Sequence, residues 1–302
     1  MLLKYCMELA NGQSLCLVGT NGIRSWLGKL ASVIELGHCE TNVECPRIIF
    51  IQYDLNKVEE IKPTHYLDSD MQSSLPSSGW IFCDYISTQF WFHPDSLDII
   101  CNVSQEINYE TDIIRMWHTM RLIYRWSQSF GCIPLHAALV EKDGVGVVLA
   151  AQGGTGKSTC CRRIPSPWHA LCDDEVLVVP DKHGHYMVHP FPTWSDYLIR
   201  RQTKTWNIQQ YVPLSSIFFL DRLQSDQVIT IKQGKSALYI NNSSDQIFGD
   251  KLRDSNQEEY LSIKKKSFDN SCQIAKTVPV FKLQISLDSQ FWKEIEKVLE
   301  NV

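Results

Sequence analysis

The sequence predicts an α/β protein in two parts: an α+β unit over residues 1–105, then a phosphate-loop domain over residues 106–302. Three observations predict it. An Asn-Gly pair near the start separates two apolar stretches, a strand–glycine loop–helix pattern begins at residue 145, and 302 residues suffice for two ordinary domains of roughly 100–200 residues.

Taken in order, Leu2 to Leu9 alternates and is ended by Asn11-Gly12, and Ser14 to Val18 follows, a strong hairpin signal. Trp26, Leu27, Leu30, Ile34 and Leu36 recur at helical spacing, and Ile48 to Tyr53 is a strand-length apolar run. From Asn56 to Gly79 the chain turns polar around Pro63 and Pro76 and reads as loop. Strands are predicted at Trp80 to Tyr85, Phe90 to His93 and Leu97 to Val103. Thr111 and Asp112 start a helix to Ser129, with Ile113, Trp117, Met120 and Tyr124 as its core stripe, and Gly131 stops it. Ile133 to Val140 is then an apolar strand, turned by Glu141 to Gly144 into a second, Val145 to Ala150.

Composition narrows the function. Twenty-nine Lys+Arg against 34 Asp+Glu give a net charge of -5, and Lys264-Lys265-Lys266 is the only dense cationic run. Nucleic acid and anionic membranes are therefore not expected as main partners. Apolar runs such as Val145 to Ala151 fall far short of the ~20 residues that span a bilayer. Glu8 interrupts the start before any apolar secretory region develops, so a cytoplasmic location is expected. The 11 cysteines are odd in number, scattered and without a C-x-x-C, and are expected as reduced, small buried residues rather than a zinc or redox site.

Residues 151–158 read Ala-Gln-Gly-Gly-Thr-Gly-Lys-Ser, the phosphate-loop pattern with alanine for its first glycine. Such a loop needs glycines because successive backbone N–H groups must turn inward around a phosphate. Gly153, Gly154 and Gly156 supply them, Thr155 and Thr159 complete the loop and first turn, Lys157 reaches β- and γ-oxygens, and Ser158 offers a hydroxyl to Mg²⁺. Pro165 and Pro167 end the following helix early. Sixteen residues beyond Lys157 comes Asp173-Asp174-Glu175, leading into an apolar strand, Val176 to Val179. Two carboxylates at a strand edge near a nucleotide suit a metal-holding residue and a base that accepts a hydroxyl proton. No H-R-D or D-F-G set occurs, which excludes a eukaryotic-type protein kinase, and without an N-K-x-D adenine is the default base.

The order Pro-Leu-His136-Ala, Gly-Val-Gly-Val-Val-Leu, Gly-Gly-Thr-Gly-Lys157-Ser158, then Asp173-Asp174 resembles the HPr kinase/phosphorylase catalytic domain, whose fold is similar to that of PEP carboxykinase. Within that group Cys172-Asp-Asp-Glu-Val-Leu-Val-Val and His189-Pro-Phe-Pro-Thr-Trp-Ser-Asp196 look like the ScmC family of SynChlorMet cassette proteins. The resemblance is specific over about residues 109–222. It implies that Lys157 and Ser158 serve phosphate and metal, that His136 stands beside the phosphates, and that Asp173 and Asp174 are base and active-site acid, Asp174 being favoured as base. The family's metal-holding glutamate lies in a signature this chain lacks, and Asp196 sits at a comparable distance as its substitute. Without the HPr-specificity signature, neither HPr as substrate nor the reverse phosphorolysis carries over.

The expected activity is an ATP- and Mg²⁺-dependent transfer of the γ-phosphoryl group to a Ser/Thr hydroxyl of a peptide or small protein, with a ribosomally made peptide precursor as the acceptor that the resemblance favours. The N-terminal unit is a candidate acceptor-binding region. Two alternatives remain open: a small-molecule hydroxyl kinase, and a non-catalytic ATP-binding regulatory or scaffold protein. Self-association is also open.

Overall fold

The computed structural model of the chain describes residues 3–39, 45–52, 62–85, 88–103, 108–199, 203–249, 256–286, 288 and 290–300. The chain divides into two compact units. The first comprises Met1–Trp126, Trp194–Gln209 and Asp250–Leu261, and the second Ser127–Thr193, Gln210–Gly249 and Ser262–Val302. The expected boundary at 105/106 falls among residues outside those described.

The first unit is built on a six-stranded sheet. Strands β1 (Leu3–Glu8) and β2 (Ser14–Gly19) form the hairpin around Asn11-Gly12, and β2 then pairs in parallel with β3 (Arg47–Ile51). The order is completed by β6 (Ser96–Asn102), β5 (Thr88–His93) and β4 (Ile81–Tyr85), giving β1-β2-β3-β6-β5-β4. Helix α1 (Arg24–Val33) buries Trp26, Leu27, Leu30 and Ala31, with the Trp26 ring 5.4 Å from that of Phe50 on β3.

Two expectations need correction here. The Asn56 to Gly79 stretch lies partly outside the described residues, and its remainder is not all loop: it holds a 3-10 turn, Pro63–Tyr66, and a short helix α2, Ser69–Ser73. Asp68 caps that helix by accepting the Met71 N–H, and Leu67, Met71 and Leu75 bury one stripe on the sheet. The intervening serines and aspartates hid this four-residue period. The cysteines are not all isolated thiols either. The hairpin register sets Cys6 directly opposite Cys16, the two are joined in a disulfide, and Cys45 Sγ lies 2.7 Å from Cys16 Sγ.

The second unit is built on an eight-stranded mixed sheet. Its centre is β7 (Ile133–Lys142) and β8 (Val145–Ala150), the antiparallel pair that the apolar runs predict. Beyond β8 lie β12 (Val212–Arg222) and β14 (Val280–Ile285), both parallel to it, and then β13 (Gln227–Thr230). On the other side β7 pairs first with β9 (His169–Cys172) and then with β10 (Glu175–Pro180), which leads to β11 (Tyr186–Pro190). Since β11 also pairs β12, five strands close into a ring.

One face of this sheet is covered by α4 (Lys157–Arg163) and α8 (Phe291–Leu299), whose Cys160, Phe291 and Ile295 meet Leu149, Phe218 and Leu283 in a fully apolar core. Each buried Phe or Leu there stabilises by about 1.5–3 kcal/mol. Helix α6 (Gln233–Phe248) packs on β7 through small residues that allow close approach, and Ser243 Oγ donates to the His136 carbonyl at 3.3 Å. The remaining helices are α3 (Tyr109–Gln128), α5 (Trp194–Leu198) and α7 (Gln257–Thr277). Asn270 on α7 donates to the carbonyls of Gln128 and Cys132, tying α7 to the turn between α3 and β7. Among the described residues, no helix is long and apolar enough to cross a membrane.

Candidate active site

The chain leaves β8 at buried Ala150 and enters α4 at Lys157, so residues 151–156 form the turn between a strand's end and a helix's start. Gly154 has φ +78° and Gly156 φ +123°, values that side chains rarely adopt. A Cβ at Gly154 would meet nothing within 4 Å, so conformation rather than space demands glycine there. Arg222, at the end of β12 beside β8, donates from Nε to the Thr155 carbonyl and from Nη2 to the Gly154 carbonyl, both at 2.7 Å. A cation thus braces the loop and offsets the negative ends of two of its peptide groups.

Lys157 is only 7% exposed, unusual for a lysine. Its ammonium donates to the Ala151 carbonyl at 3.1 Å and to His136 Nε2 at 2.9 Å. An ammonium has no lone pair, so Nε2 must accept and the imidazole proton sits on Nδ1. That proton points at Gln246 Oε1, 2.8 Å away on α6, and Gln246 Nε2 in turn reaches the Asn242 carbonyl, which fixes the amide's orientation. Burial holds the Lys157 pKa below its usual value, with Asp174 and then Asp173 opposing the shift.

Asp174 Oδ1 lies 3.4 Å from the same His136 Nε2. The backbone explains the placement. The sheet register sets Glu175 opposite His136, and the Ala137 N–H donates to the Asp174 carbonyl at 3.0 Å, so the carboxylate is pinned beside the histidine where β9 gives way to β10. The Asp173 N–H donates to Thr193 Oγ1 at 3.2 Å. Both carboxylates therefore stand on fixed backbone, near enough to act on Lys157 electrostatically.

Of the sequence-predicted residues, the structure brings Lys157, His136 and Asp174 into one polar cluster. Asp173 adjoins it, and Ser158 and Thr159 follow Lys157 half-buried in the first turn of α4. Asp196 is buried on α5, which belongs to the first unit. His189 is fully buried with its ring 5.1 Å from that of Tyr211. Sequence reasoning missed Gln246, Arg222 and Thr193. Arg222 had a topological signal, since the C-terminal end of the strand parallel to β8 is where an α/β sheet places ligand-facing residues. Gln246, 110 positions from His136, had none.

Two cavities flank the loop within this unit. One of about 640 Å³ lies along Thr155, Gly156 and Thr159, with Cys160, Leu223 and Ile285 giving it apolar surface and Arg163 and Arg222 positive charge. The other, about 460 Å³, lies along Gln152, Asn242 and Gln246, next to the Asp221–Lys282 ion pair. Both volumes suit small-molecule binding.

The fold and this loop define an α/β protein of the phosphate-loop class. The model of the family described as SynChlorMet cassette protein ScmC matches residues 99–300, about two thirds of the sequence, and the chain belongs to that family. No curated protein matches it. Among solved structures, the HPr(Ser) kinase/phosphatase from Coxiella burnetii is similar at 12% identity over 56% of this chain and 94% of that one, with a TM-score of 0.31.

Proposed function

We propose that the chain is an ATP- and Mg²⁺-dependent kinase that moves the γ-phosphoryl group to a Ser/Thr hydroxyl of a peptide or small protein. One observation carries the reading: the phosphate-loop lysine and an Asp carboxylate meet at one ring nitrogen of His136, at 2.9 and 3.4 Å. A structural lysine has no need of such company. A transferase needs a mobile cation for the phosphoryl oxygens and a carboxylate for the acceptor's proton, side by side.

Each residue then has a task. The loop amides of Gly153 to Gly156 and the Lys157 ammonium bind and orient the phosphates. As Lys157 turns to phosphate, His136 Nε2 is released as an acceptor in the site, its tautomer still held by Gln246. Asp174, favoured as base, takes the hydroxyl proton. Ser158 Oγ and the Asp173 carboxylate are hard oxygen donors of the kind Mg²⁺ takes, and the ion, when bound, supplies charge neutralisation at the transferring group. The apolar surface of the larger cavity suits an adenine ring beside the loop.

The peptide acceptor is supported by the resemblance to kinases encoded in peptide-modification operons, and the expected compartment is the cytoplasm, which supplies ATP. The test is to incubate the protein with Mg·ATP and the peptides encoded beside its gene, then identify the product. A phosphorylated Ser or Thr supports the proposal. A phosphorylated small molecule in cell extract replaces the acceptor but keeps the chemistry, and nucleotide binding without any transfer rejects the enzyme.

A further inference from the structure

In the first unit, Cys6, Cys16 and Cys45 have sulfur atoms that all lie within 4.8 Å of one another. Strand geometry puts them there. Residues directly opposite in a sheet share a face, as do residues two apart on one strand. Cys6 is opposite Cys16 on β1 and β2. Cys16 is level with Arg47 on β3, and Cys45 precedes Arg47 by two. The Cys39 N–H donates to the Lys4 carbonyl, two residues before Cys6, and His38 bridges Tyr5, so Cys39 runs beside β1 near Cys6. Four cysteines from three chain segments thus converge on one region of the sheet, beside the apolar cluster of Val18, Ile49 and Trp91.

A disulfide uses only two of these sulfurs. Cys16 Sγ is bonded to Cys6 and at the same time 2.7 Å from Cys45, which belongs to no disulfide. A shared soft metal ion satisfies all three. Zn²⁺ binds thiolates at about 2.3 Å in a tetrahedron, which spaces its sulfur ligands about 3.8 Å apart, so Cys16 and Cys45 sulfurs at 2.7 Å need to separate by only about 1 Å to share it.

We propose that in the reduced chain Cys6, Cys16 and Cys45, with Cys39 as fourth ligand, form a thiolate site for Zn²⁺. Each thiol gives up its proton on binding. Where Cys6 and Cys16 are joined, a dithiol reductant must first supply two electrons and two protons, leaving as its own disulfide. The site lies outside the region that the family match covers and serves to tie the hairpin to β3.

The test uses the full chain, reduced and held without oxygen, titrated with Zn²⁺ against a chromophoric chelator, and then with Co²⁺ for sulfur-to-metal absorption. One Zn²⁺ per chain and a thiolate spectrum are expected. Cys45→Ser should weaken binding more than ~100-fold, since even groups behind a metal's ligands are worth about 10–100-fold. Cys39→Ser should weaken it less, and Cys272→Ser, in the other unit, should leave it unchanged. Circular dichroism checks that each variant is folded. A reduced, folded chain that leaves Zn²⁺ with the chelator overturns the proposal. So does equal affinity in Cys45→Ser, or a Cys6–Cys16 disulfide that survives reductant with Cys45 thiol fully reactive.

Discussion

Lys157 Nζ sits 2.9 Å from His136 Nε2, so the lysine that would hold phosphate is held by a histidine instead. The donor-only ammonium fixes the imidazole tautomer, and the imidazole shields a buried charge. Phosphate binding exchanges one partner for a better one, an anion for a neutral ring.

Lys157→Met should therefore separate stability from function. Burial disfavours the ammonium, so the folded chain holds this proton less tightly than the unfolded chain, whose lysine titrates near 10.5. Below the lowered folded pKa the cost is constant. Between that pKa and 10.5 the unfolded state binds more protons, so wild-type stability rises with pH. The variant should melt higher than wild type near neutral pH, and its advantage should shrink as pH approaches 10.5. Calorimetry at several pH values checks this, and a variant that melts lower throughout would show the lysine to be structural. Mg·ATP should stabilise wild type but not the variant.

Gln246 acts through His136. Gln246→Leu removes a hydrogen bond of about 0.5–1.5 kcal/mol and frees the ring to flip. It should lower kcat while leaving KM for ATP nearly unchanged. Gln246→Glu keeps an oxygen acceptor for the ring N–H and should retain more kcat than Gln246→Leu. Equal kcat in wild type and Gln246→Leu would remove the orientation of His136 from the reaction.

Arg222→Ala should loosen the loop without unfolding the sheet, since its partners are the carbonyls of Gly154 and Thr155. Affinity for Mg·ATP should fall about tenfold, on the scale of a charged hydrogen bond. Titration calorimetry measures it, and unchanged affinity would mean the loop is rigid without the arginine.

Much of this was legible locally. The Asn-Gly hairpin, the helix marked by the Trp26 to Leu36 stripe, which ends at Val33 before that stripe does, and β7, β8 and the glycine loop follow from period, turn chemistry and motif, because neighbours in sequence decide them. Asp173-Asp174 stood out because two charges interrupt apolar strands. What failed to show was tertiary. Gln246 reaches His136 only once α6 packs on β7, and Arg222 reaches the loop only once β12 lies beside β8. The cysteine cluster was half readable: a hairpin closing around Asn11 sets Cys6 opposite Cys16, but Cys45 joins through parallel pairing of β2 and β3, which no local pattern announces.

The most direct measurement of the central claim is the split between turnover and Mg·ATP affinity in Asp174→Asn and Asp173→Asn, with Mg²⁺ varied. Asn at Asp174 keeps shape but loses proton affinity, so kcat should fall about 10²–10⁴-fold while Mg·ATP binds as before. Asn at Asp173 should weaken Mg·ATP binding, and added Mg²⁺ should partly restore it. If both variants bind Mg·ATP and transfer phosphate like wild type, the carboxylates beside Lys157 and His136 take no part in the chemistry and the proposed mechanism is wrong.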